Sequence, residues 1–268
     1  MHAPRTDAYL SRIGVDPDGV AASDFETLER LQRAHVQSVP FETLAITGDP
    51  FGDREGEGVS LTLPDLYEKV VDRDRGGFCF ELNGPFGWLL REVGFNVDRI
   101  AARVVGSDGD ARPPANHHSH IVSLDRDYVV DVGLGTPPLR EPLPLDGTAL
   151  TDAAGVAWRV AESDRSDAEY VTQQREPGDE DWTDRYLFDA TPRKLSFFEA
   201  ICEYLATAPE SPFTGGPSIS IATDDGYKRL TADSLIRAHR GDRSERSVAE
   251  SEWYGVLERE FGIRFRPT

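Results

Sequence analysis

Lysine, cysteine and long apolar runs are all scarce in this chain of 268 residues. Its two cysteines, Cys79 and Cys202, cannot build a framework of several disulfides and are typical of a protein that works in a reducing compartment. No stretch approaches the roughly 18 consecutive apolar residues of a membrane span, and the first seven residues lack the apolar core of a signal peptide. We therefore expect a cytoplasmic protein whose thiols stay reduced.

Positive charge is scarce as well, because 48 acidic residues stand against 29 basic ones and give a net charge of −19. The only lysines are Lys69, Lys194 and Lys228. A surface of this sign disfavours nucleic acid and anionic membranes as partners. Together with the replacement of lysine by arginine, it favours adaptation to a salty cytoplasm. The alternative interpretation is an ordinary acidic protein that its charge keeps soluble.

The most informative segment is residues 75–84, Arg-Gly-Gly-Phe-Cys-Phe-Glu-Leu-Asn-Gly. Gly76 and Gly77 permit positive φ and close backbone approach. The apolar residues that follow have helical spacing: Leu82, Phe86, Leu89, Leu90 and Val93. This pattern predicts that Cys79 lies at a helix N-terminus, where the partial positive charge favours thiolate over thiol. Cys202 lies in an apolar helical segment with no base near it and is expected to be a core residue.

Residues that could activate such a thiol lie downstream. His117, His118 and His120 begin a strand-like run, Asp131 ends another, and a tight turn at 125–127 folds the two runs into a hairpin. The hairpin returns Asp131 to the histidines, so that one imidazole can act as a base while the carboxylate orients it. The register decides which histidine does so. A two-residue turn puts His120 opposite Asp131, with His118 diagonal to it.

The same three histidines invite the hypothesis of a metal site. Alternation along a strand puts His118 and His120 on one face and His117 on the other, which disfavours a site built from all three.

In this order, the segments resemble the arylamine N-acetyltransferase family, whose members carry a Cys-His-Asp triad and transfer an acetyl group from acetyl-CoA to an arylamine or arylhydrazine. Three further segments extend the resemblance over nearly the whole chain, and the first of them, residues 9–14, Tyr-Leu-Ser-Arg-Ile-Gly, looks like part of the family's opening helices. Residues 40–46, Pro-Phe-Glu-Thr-Leu-Ala-Ile, are similar to the family's Pro-Phe-Glu-Asn-Leu motif, with Thr43 in place of asparagine. Residues 206–213 are similar to its Ser-Thr-x-Pro-x-Ser-x-Phe segment, with Ala206 in place of the first serine.

The resemblance implies a role for individual residues. Aligned on the strand over 121–124, it makes His117 the base, with His118 as the second choice. It implies a ping-pong reaction through acetyl-cysteine, with acetyl-CoA as the co-substrate, a small arylamine as the acceptor and no metal. The site residues that it implies are Cys79, His117 and Asp131 for catalysis and Thr207, Ser211 and Phe213 for the coenzyme.

Two other classes of function stay open at this point. A cysteine hydrolase or a transglutaminase-like acyltransferase would use the same triad and pass the acyl group to water or to lysine. A catalytically idle binding module would hold the same residues without using them. Labelling of Cys79 by acetyl-CoA, and its discharge by aniline-type amines, would distinguish these classes.

The periodicity predicts an α+β protein of three units. Residues 1–95 form a helical unit that carries the nucleophile. Residues 96–195 form an antiparallel, barrel-like β unit that carries His117 and Asp131, and residues 196–268 form an α/β lid. The resemblance implies that the nucleophile, base and carboxylate are arranged as in cysteine proteases.

Local signals predict several element boundaries. Ser23 and Glu26 match a capping box for a helix that ends near His35. Pro85 predicts a bend or a restart in the helix that begins at Cys79, because it lacks a backbone donor. The last third is predicted to contain a helix over 197–205, a hairpin around 224–226 and a helix over 250–261.

We expect thermal stability and catalytic rate to rise with KCl from about 0.1 M to well above 1 M. The excess negative side chains, which give a net charge of −19, repel one another over a Debye length of ~10 Å at the lower concentration and only ~3 Å at 1 M. Screening also eases the approach of the anionic acetyl-CoA. Thermal melts and initial rates across a KCl series measure both effects. A melting temperature that stays flat or falls with salt would identify the acidic surface as ordinary solubilising charge.

Overall fold

The computed structural model describes residues 3–52 and 54–265, and this part of the chain contains seven α-helices. They are α1 (Pro4–Arg12), α2 (Phe25–Ser38), α3 (Leu44–Thr47), α4 (Leu63–Tyr67), α5 (Cys79–Val93), α6 (Glu199–Thr207) and α7 (Glu250–Phe261). A π-helical turn, Glu68–Asp72, extends α4, and a 3₁₀ turn, Leu195–Phe198, leads into α6. None of the described helices combines the length and the apolar character needed to cross a lipid bilayer.

Thirteen strands in the same part of the chain form two antiparallel sheets. They are β1 (Phe41–Glu42), β2 (Asn96–Val104), β3 (His117–Ser123), β4 (Asp127–Val130), β5 (Leu143–Pro144), β6 (Leu150–Thr151), β7 (Ala157–Glu162), β8 (Tyr170–Arg175), β9 (Thr183–Pro192), β10 (Ile219–Thr223), β11 (Gly226–Leu230), β12 (Ser234–His239) and β13 (Asp242–Ser247). The larger sheet has the order β5-β4-β3-β2-β9-β8-β7-β6, and the smaller has β1-β10-β11-β12-β13. Because β5 also contacts β7, the larger sheet curls towards a barrel. The predicted α+β class with a barrel-like β unit is confirmed.

Helix α2 begins one residue later than the capping box predicts. Asp24, not Ser23, is its N-cap, and the Asp24 carboxylate accepts a hydrogen bond from the backbone N–H of Thr27 at 2.9 Å. Either side chain can cap a helix, so the sequence alone does not separate two candidates that are neighbours. The helix also continues past His35 to Ser38.

Helix α5 runs without interruption from Cys79 through Pro85 to Val93, so the predicted restart is wrong, and a bend at Pro85 stays a prediction. The apolar face that the spacing predicts is fully buried at Leu82, Phe86, Leu89 and Leu90. That burial stabilises the helix through a position where one backbone hydrogen bond is missing. The helix ends at Gly94, whose φ of 105° lies in the left-handed region that favours glycine.

Four apolar cores within the described residues hold these elements together, and three of them join segments that are distant in sequence. Leu44 packs in the core of Trp253 and α7, and Phe78 and Phe80 pack in the core that contains Cys202. Cys202 is a buried core residue, as the sequence predicts. Only the core of the larger sheet draws on residues 96–195 alone. The division at residues 95 and 195 stays a prediction.

We expect the free energy of unfolding to fall as the pH drops from about 6.5 to about 5. Burial lowers the pKa of His35 to about 3, and burial and then Arg99 lower the pKa of His118 and His120. Below pH ~6.5 the three histidines bind protons in the unfolded chain but not in the folded protein. Their contribution to the free energy of unfolding is therefore present above that pH and is lost below it.

Denaturant titrations at fixed KCl, repeated between these pH values, measure the slope of the free energy of unfolding against pH. His35→Gln should reduce it by about one third, because it removes one of three titrating groups. A free energy of unfolding that is constant over this window would contradict the assignment.

Candidate active site

Cys79 is the first residue of α5, and it is buried, with 3% of its surface exposed. Phe78 is the N-cap of the helix, and its backbone N–H donates to Oε2 of Glu81 at 3.2 Å. The Glu81 carboxylate therefore closes the first turn of the helix, a position where a negative charge is favourable. The predicted location of the thiol at a helix N-terminus is confirmed.

The glycines near the thiol are needed for close approach and not for unusual backbone angles. Neither Gly76 nor Gly77 has a positive φ, in contrast to one of the two roles that the sequence suggests for them. A Cβ on Gly76 would overlap the carbonyl oxygen of Pro40. A Cβ on Gly133 would lie 2.7 Å from Cα of Cys79. These glycines let the backbone pack directly against the turn that carries the nucleophile.

A buried ionic network anchors the same turn. Nζ of Lys69 lies 2.6 Å from Oε1 of Glu81. Nη2 of Arg75 lies 2.7 Å from Oε1 of Glu42, and Lys69 also approaches that oxygen at 3.8 Å. Burial acts to raise the pKa of Glu42, but Lys69 and Arg75 hold it below its ordinary value. Because each charge has a partner, the segment before Cys79 is fixed without an uncompensated buried ion.

The register of the β3–β4 hairpin selects His117 as the partner of Asp131. Ser123 pairs with Asp127, so the loop has three residues and not two. That shift takes His120 out of register with Asp131 and puts His117 diagonal to it. Nε2 of His117 then lies 2.6 Å from Oδ2 of Asp131.

Asp131 is fully buried and accepts three hydrogen bonds. The donors are Nε2 of His117 at 2.6 Å, Nδ2 of Asn83 at 2.8 Å and the backbone N–H of Gly133 at 2.8 Å. Burial acts to raise the pKa of Asp131, but the His117 ring and these donors hold it below its ordinary value. The carboxylate is thus ionised, and it orients the imidazole.

Asn83 is a site residue that the sequence reasoning missed. Besides Asp131, its Nδ2 donates to the carbonyl oxygen of His118 at 2.8 Å, and its Oδ1 accepts from the N–H of Val132 at 3.0 Å. A signal was present, because Asn83 follows Cys79 by four residues and so lies on the same helix face.

His118 and His120 do not line the cavity that contains Cys79. His118 stacks on Phe80, with ring centroids 5.3 Å apart and planes 11° apart. His120 sits against Gly87, where a Cβ would overlap its ring, and neither of its ring nitrogens has a hydrogen-bond partner within the described residues. Those residues contain no cluster of three metal-ligating side chains.

A cavity of about 510 Å³ opens onto Cys79 and His117. Of the residues predicted to contact the coenzyme, Ser211 and Phe213 line this cavity. The Ser211 hydroxyl is engaged by the protein, since it donates to the carbonyl oxygen of Leu205 at 2.5 Å and accepts from the N–H of Phe213 at 3.2 Å. Thr207 lines a different cavity, which it shares with Cys202. The structure therefore brings five of the six predicted site residues together and leaves Thr207 apart, while Asp131 lies behind His117.

Two opposing effects act on the Cys79 thiol. Burial raises its pKa, and the Cys202 thiol and the Asp131 carboxylate act in the same direction, whereas the N–H of Phe80 lowers it. Burial is the largest of these effects, so a helix N-terminus alone does not produce the lowered pKa that the sequence predicts. A thiolate here requires transfer of the proton to His117, because Asp131 then balances the imidazolium charge.

We expect the rate of Cys79 alkylation by iodoacetamide to show an inflection well below pH ~8.5 in the native protein and above it in His117→Gln. The substitution removes the proton acceptor and leaves burial to act alone. His118→Gln is the matched control and should keep the native profile. All variants carry Cys202→Ala so that only one thiol reacts. If the inflection below pH ~8.5 is lost in His118→Gln but kept in His117→Gln, the base is His118.

Comparison with known proteins gives a consistent result. A model of the N-acetyltransferase family matches residues 24–267. An arylamine N-acetyltransferase from Mycolicibacterium smegmatis is 33% identical over 263 residues, which cover 95% of this chain and 90% of that protein. The solved arylamine N-acetyltransferase from Salmonella typhimurium superposes with a TM-score of 0.87 at 28% identity, over 100% of this chain and 94% of that one. The chain therefore belongs to the arylamine N-acetyltransferase family, whose members are acyltransferases.

Proposed function

We propose that this protein transfers an acetyl group from acetyl-CoA to the nitrogen of an arylamine or arylhydrazine, by a ping-pong mechanism through acetyl-Cys79. One observation carries the proposal. A cysteine at a helix N-terminus and a histidine held at 2.6 Å by a buried aspartate line one cavity. That combination supplies a nucleophile, a base and an orienting group.

In the first half-reaction, His117 takes the proton of the thiol. Because Nε2 of His117 is bonded to Asp131, Nδ1 is the ring nitrogen left for this task. The Cys79 sulfur attacks the carbonyl carbon of the thioester, and the carbon–sulfur bond to the coenzyme breaks. The coenzyme leaves as a thiol after it receives the proton from His117. The attacking and leaving sulfurs have similar basicity, so neither direction is strongly uphill.

In the second half-reaction, the amine nitrogen attacks the carbonyl carbon of acetyl-Cys79. His117 takes a proton from the nitrogen, and the carbon–sulfur bond breaks to regenerate the cysteine. The product is an amide. Asp131 supports both steps in the same way, because it stabilises the imidazolium whenever His117 holds the extra proton.

We place the coenzyme along the wall formed by residues 211–213, where Phe213 offers an apolar surface beside Cys79. Ser211 acts here through the turn that its hydroxyl closes. A role for Thr207 requires the coenzyme to reach the far side of α6, and it stays a prediction.

We expect Cys79→Ala to reduce acetyl transfer by at least about 10³-fold, because no other residue can form the covalent intermediate. Cys202→Ala is the matched control. It removes a buried thiol from the same apolar core and should stay within about tenfold of the native rate. Intact-mass measurement after mixing with acetyl-CoA should show one added acetyl group in the native protein and in Cys202→Ala, but none in Cys79→Ala.

The fate of the acetyl group separates transfer from hydrolysis. Acetyl-Cys79 should persist in buffer and disappear when aniline is added, with acetanilide as the product. Discharge that is equally fast without amine would identify a hydrolase. Activity of Cys79→Ala within tenfold of the native protein would overturn the proposal altogether.

A further inference from the structure

An arginine without an ionic partner lines the cavity that contains Cys79. Arg185 lies on β9, on the strand that pairs with β2. The one hydrogen bond of its side chain to the described residues is from Nη2 to the carbonyl oxygen of Thr136, at 3.3 Å. Its Nε atom is buried and has no acceptor, and no carboxylate of the described residues lies within ion-pair distance. Because Nε is buried, the unused donors that remain for a ligand in the cavity are Nη1 and the second N–H of Nη2.

The other arginine that lines this cavity has an ionic partner. Arg112 lines the same cavity, but its Nη2 is held by the Asp108 carboxylate at 3.0 Å. Asp131 and Glu176 act on Arg185 only at a distance, and Asp131 is already occupied by His117 and other donors. A buried charge without a partner is costly, so an anionic group on the substrate would be bound with a clear gain.

The surroundings of Arg185 fit a flat, largely apolar molecule. Apolar side chains form much of the cavity wall: Phe41, Val104, Leu134, Pro212 and Phe213. The rings of Phe41 and Phe213 have centroids 6.3 Å apart. An aromatic ring packs well against such walls, and a guanidinium binds a carboxylate through two parallel hydrogen bonds.

We propose that Arg185 binds a carboxylate on the acyl acceptor, so that the preferred amines of this enzyme are aminobenzoates and not uncharged anilines. This inference rests on the proposed function, because it concerns the second half-reaction. Nη1 of Arg185, which is not buried and donates to no acceptor of the described residues, holds the carboxylate together with the second N–H of Nη2, while the ring lies against the apolar walls. The amine at the other end of the ring then faces acetyl-Cys79.

The same arginine could in principle bind a phosphate of the coenzyme. The carboxylate is the better fit, because a rigid ring joins amine and carboxylate within one cavity that both Cys79 and Arg185 line. The coenzyme's phosphates are separated from its reacting sulfur by the whole pantetheine arm. Experiments that treat the two half-reactions separately distinguish these two sources of negative charge.

The test compares para-aminobenzoate with para-toluidine, which has a methyl group in place of the carboxylate. In the native protein the ratio of kcat/KM values should favour para-aminobenzoate, and in Arg185→Met this ratio should fall about 10- to 100-fold. Both amines are measured on the same preparation, so a partly misfolded variant does not alter the ratio. Arg185→Lys should recover part of it, since the charge remains and the planar fork does not.

Arg103→Met is the matched control. It removes one positive charge from β2, where Arg103 pairs with Asp167 at 2.6 Å outside the cavity lining, and should leave the ratio within about twofold. The rate of Cys79 acetylation is measured in every variant, with acetyl-CoA and with the uncharged donor para-nitrophenyl acetate.

Three outcomes overturn the proposal, and each differs from failure of the proposed function. The native ratio could show no preference for para-aminobenzoate, or Arg185→Met could leave the ratio unchanged. In the third outcome, Arg185→Met slows acetylation by acetyl-CoA but not by para-nitrophenyl acetate and leaves the amine ratio unchanged, which assigns the arginine to the coenzyme's phosphates. If the native protein forms no acetyl-Cys79 at all, the proposed function itself is wrong.

Discussion

The buried carboxylate of Asp131 is the constraint on which the site depends. An ionised group with no exposed surface is tolerated only when its hydrogen-bonding capacity is filled. Its donors come from three places: Asn83 on α5, His117 on β3 and the backbone of Gly133 after β4. Satisfying one carboxylate therefore fixes the helix that carries the nucleophile against the sheet that carries the base. A small shift of either element would leave a buried charge without its partners. The hydrogen bonds of Asp131 therefore set both the alignment of Cys79 with His117 and the packing of α5 on the sheet.

The other side of Cys79 is held by a second set of buried charges. Glu81 closes the first turn of α5 and pairs with Lys69, while Glu42 binds Arg75. The thiol thus sits between two polar clusters within an otherwise apolar core. This arrangement makes the thiol harder to ionise alone, and it makes the paired imidazole necessary. In the proposed mechanism, the apolar walls of the cavity limit bulk water near the acyl-cysteine, which favours transfer to an amine over hydrolysis.

Local signals in the sequence predicted the elements whose apolar pattern is strong. Helix α7 over 250–261 and the hairpin of β10 and β11 are found where the spacing places them. The strand β13, Asp-Arg-Ser-Glu-Arg-Ser, contains no apolar residue. It therefore lacks the alternation of apolar and polar residues that predicts a strand, and its pairing with β12 was not predicted. In the site, the triad followed from motif order, but Asn83 and the Lys69–Glu81 pair did not, because their partners become visible only in three dimensions. Thr43 is similar. Its hydroxyl accepts a hydrogen bond from the N–H of Ser218, 175 residues away.

The net charge of −19 and the buried ion pairs of this chain are expected to respond differently to salt. Salt screens exposed charges within a few ångströms at high concentration but acts much less on buried pairs. Of the 29 basic residues, Lys69 and Arg75 are buried in ion pairs near the nucleophile, and Arg185 lies at the cavity wall. Changes in salt should therefore act on the acidic exterior and on the encounter with substrate, while the alignment of Cys79, His117 and Asp131 stays the same. Exposed charges are thus screened by dissolved salt, whereas the buried cations Lys69 and Arg75 keep their partners because salt screens them much less.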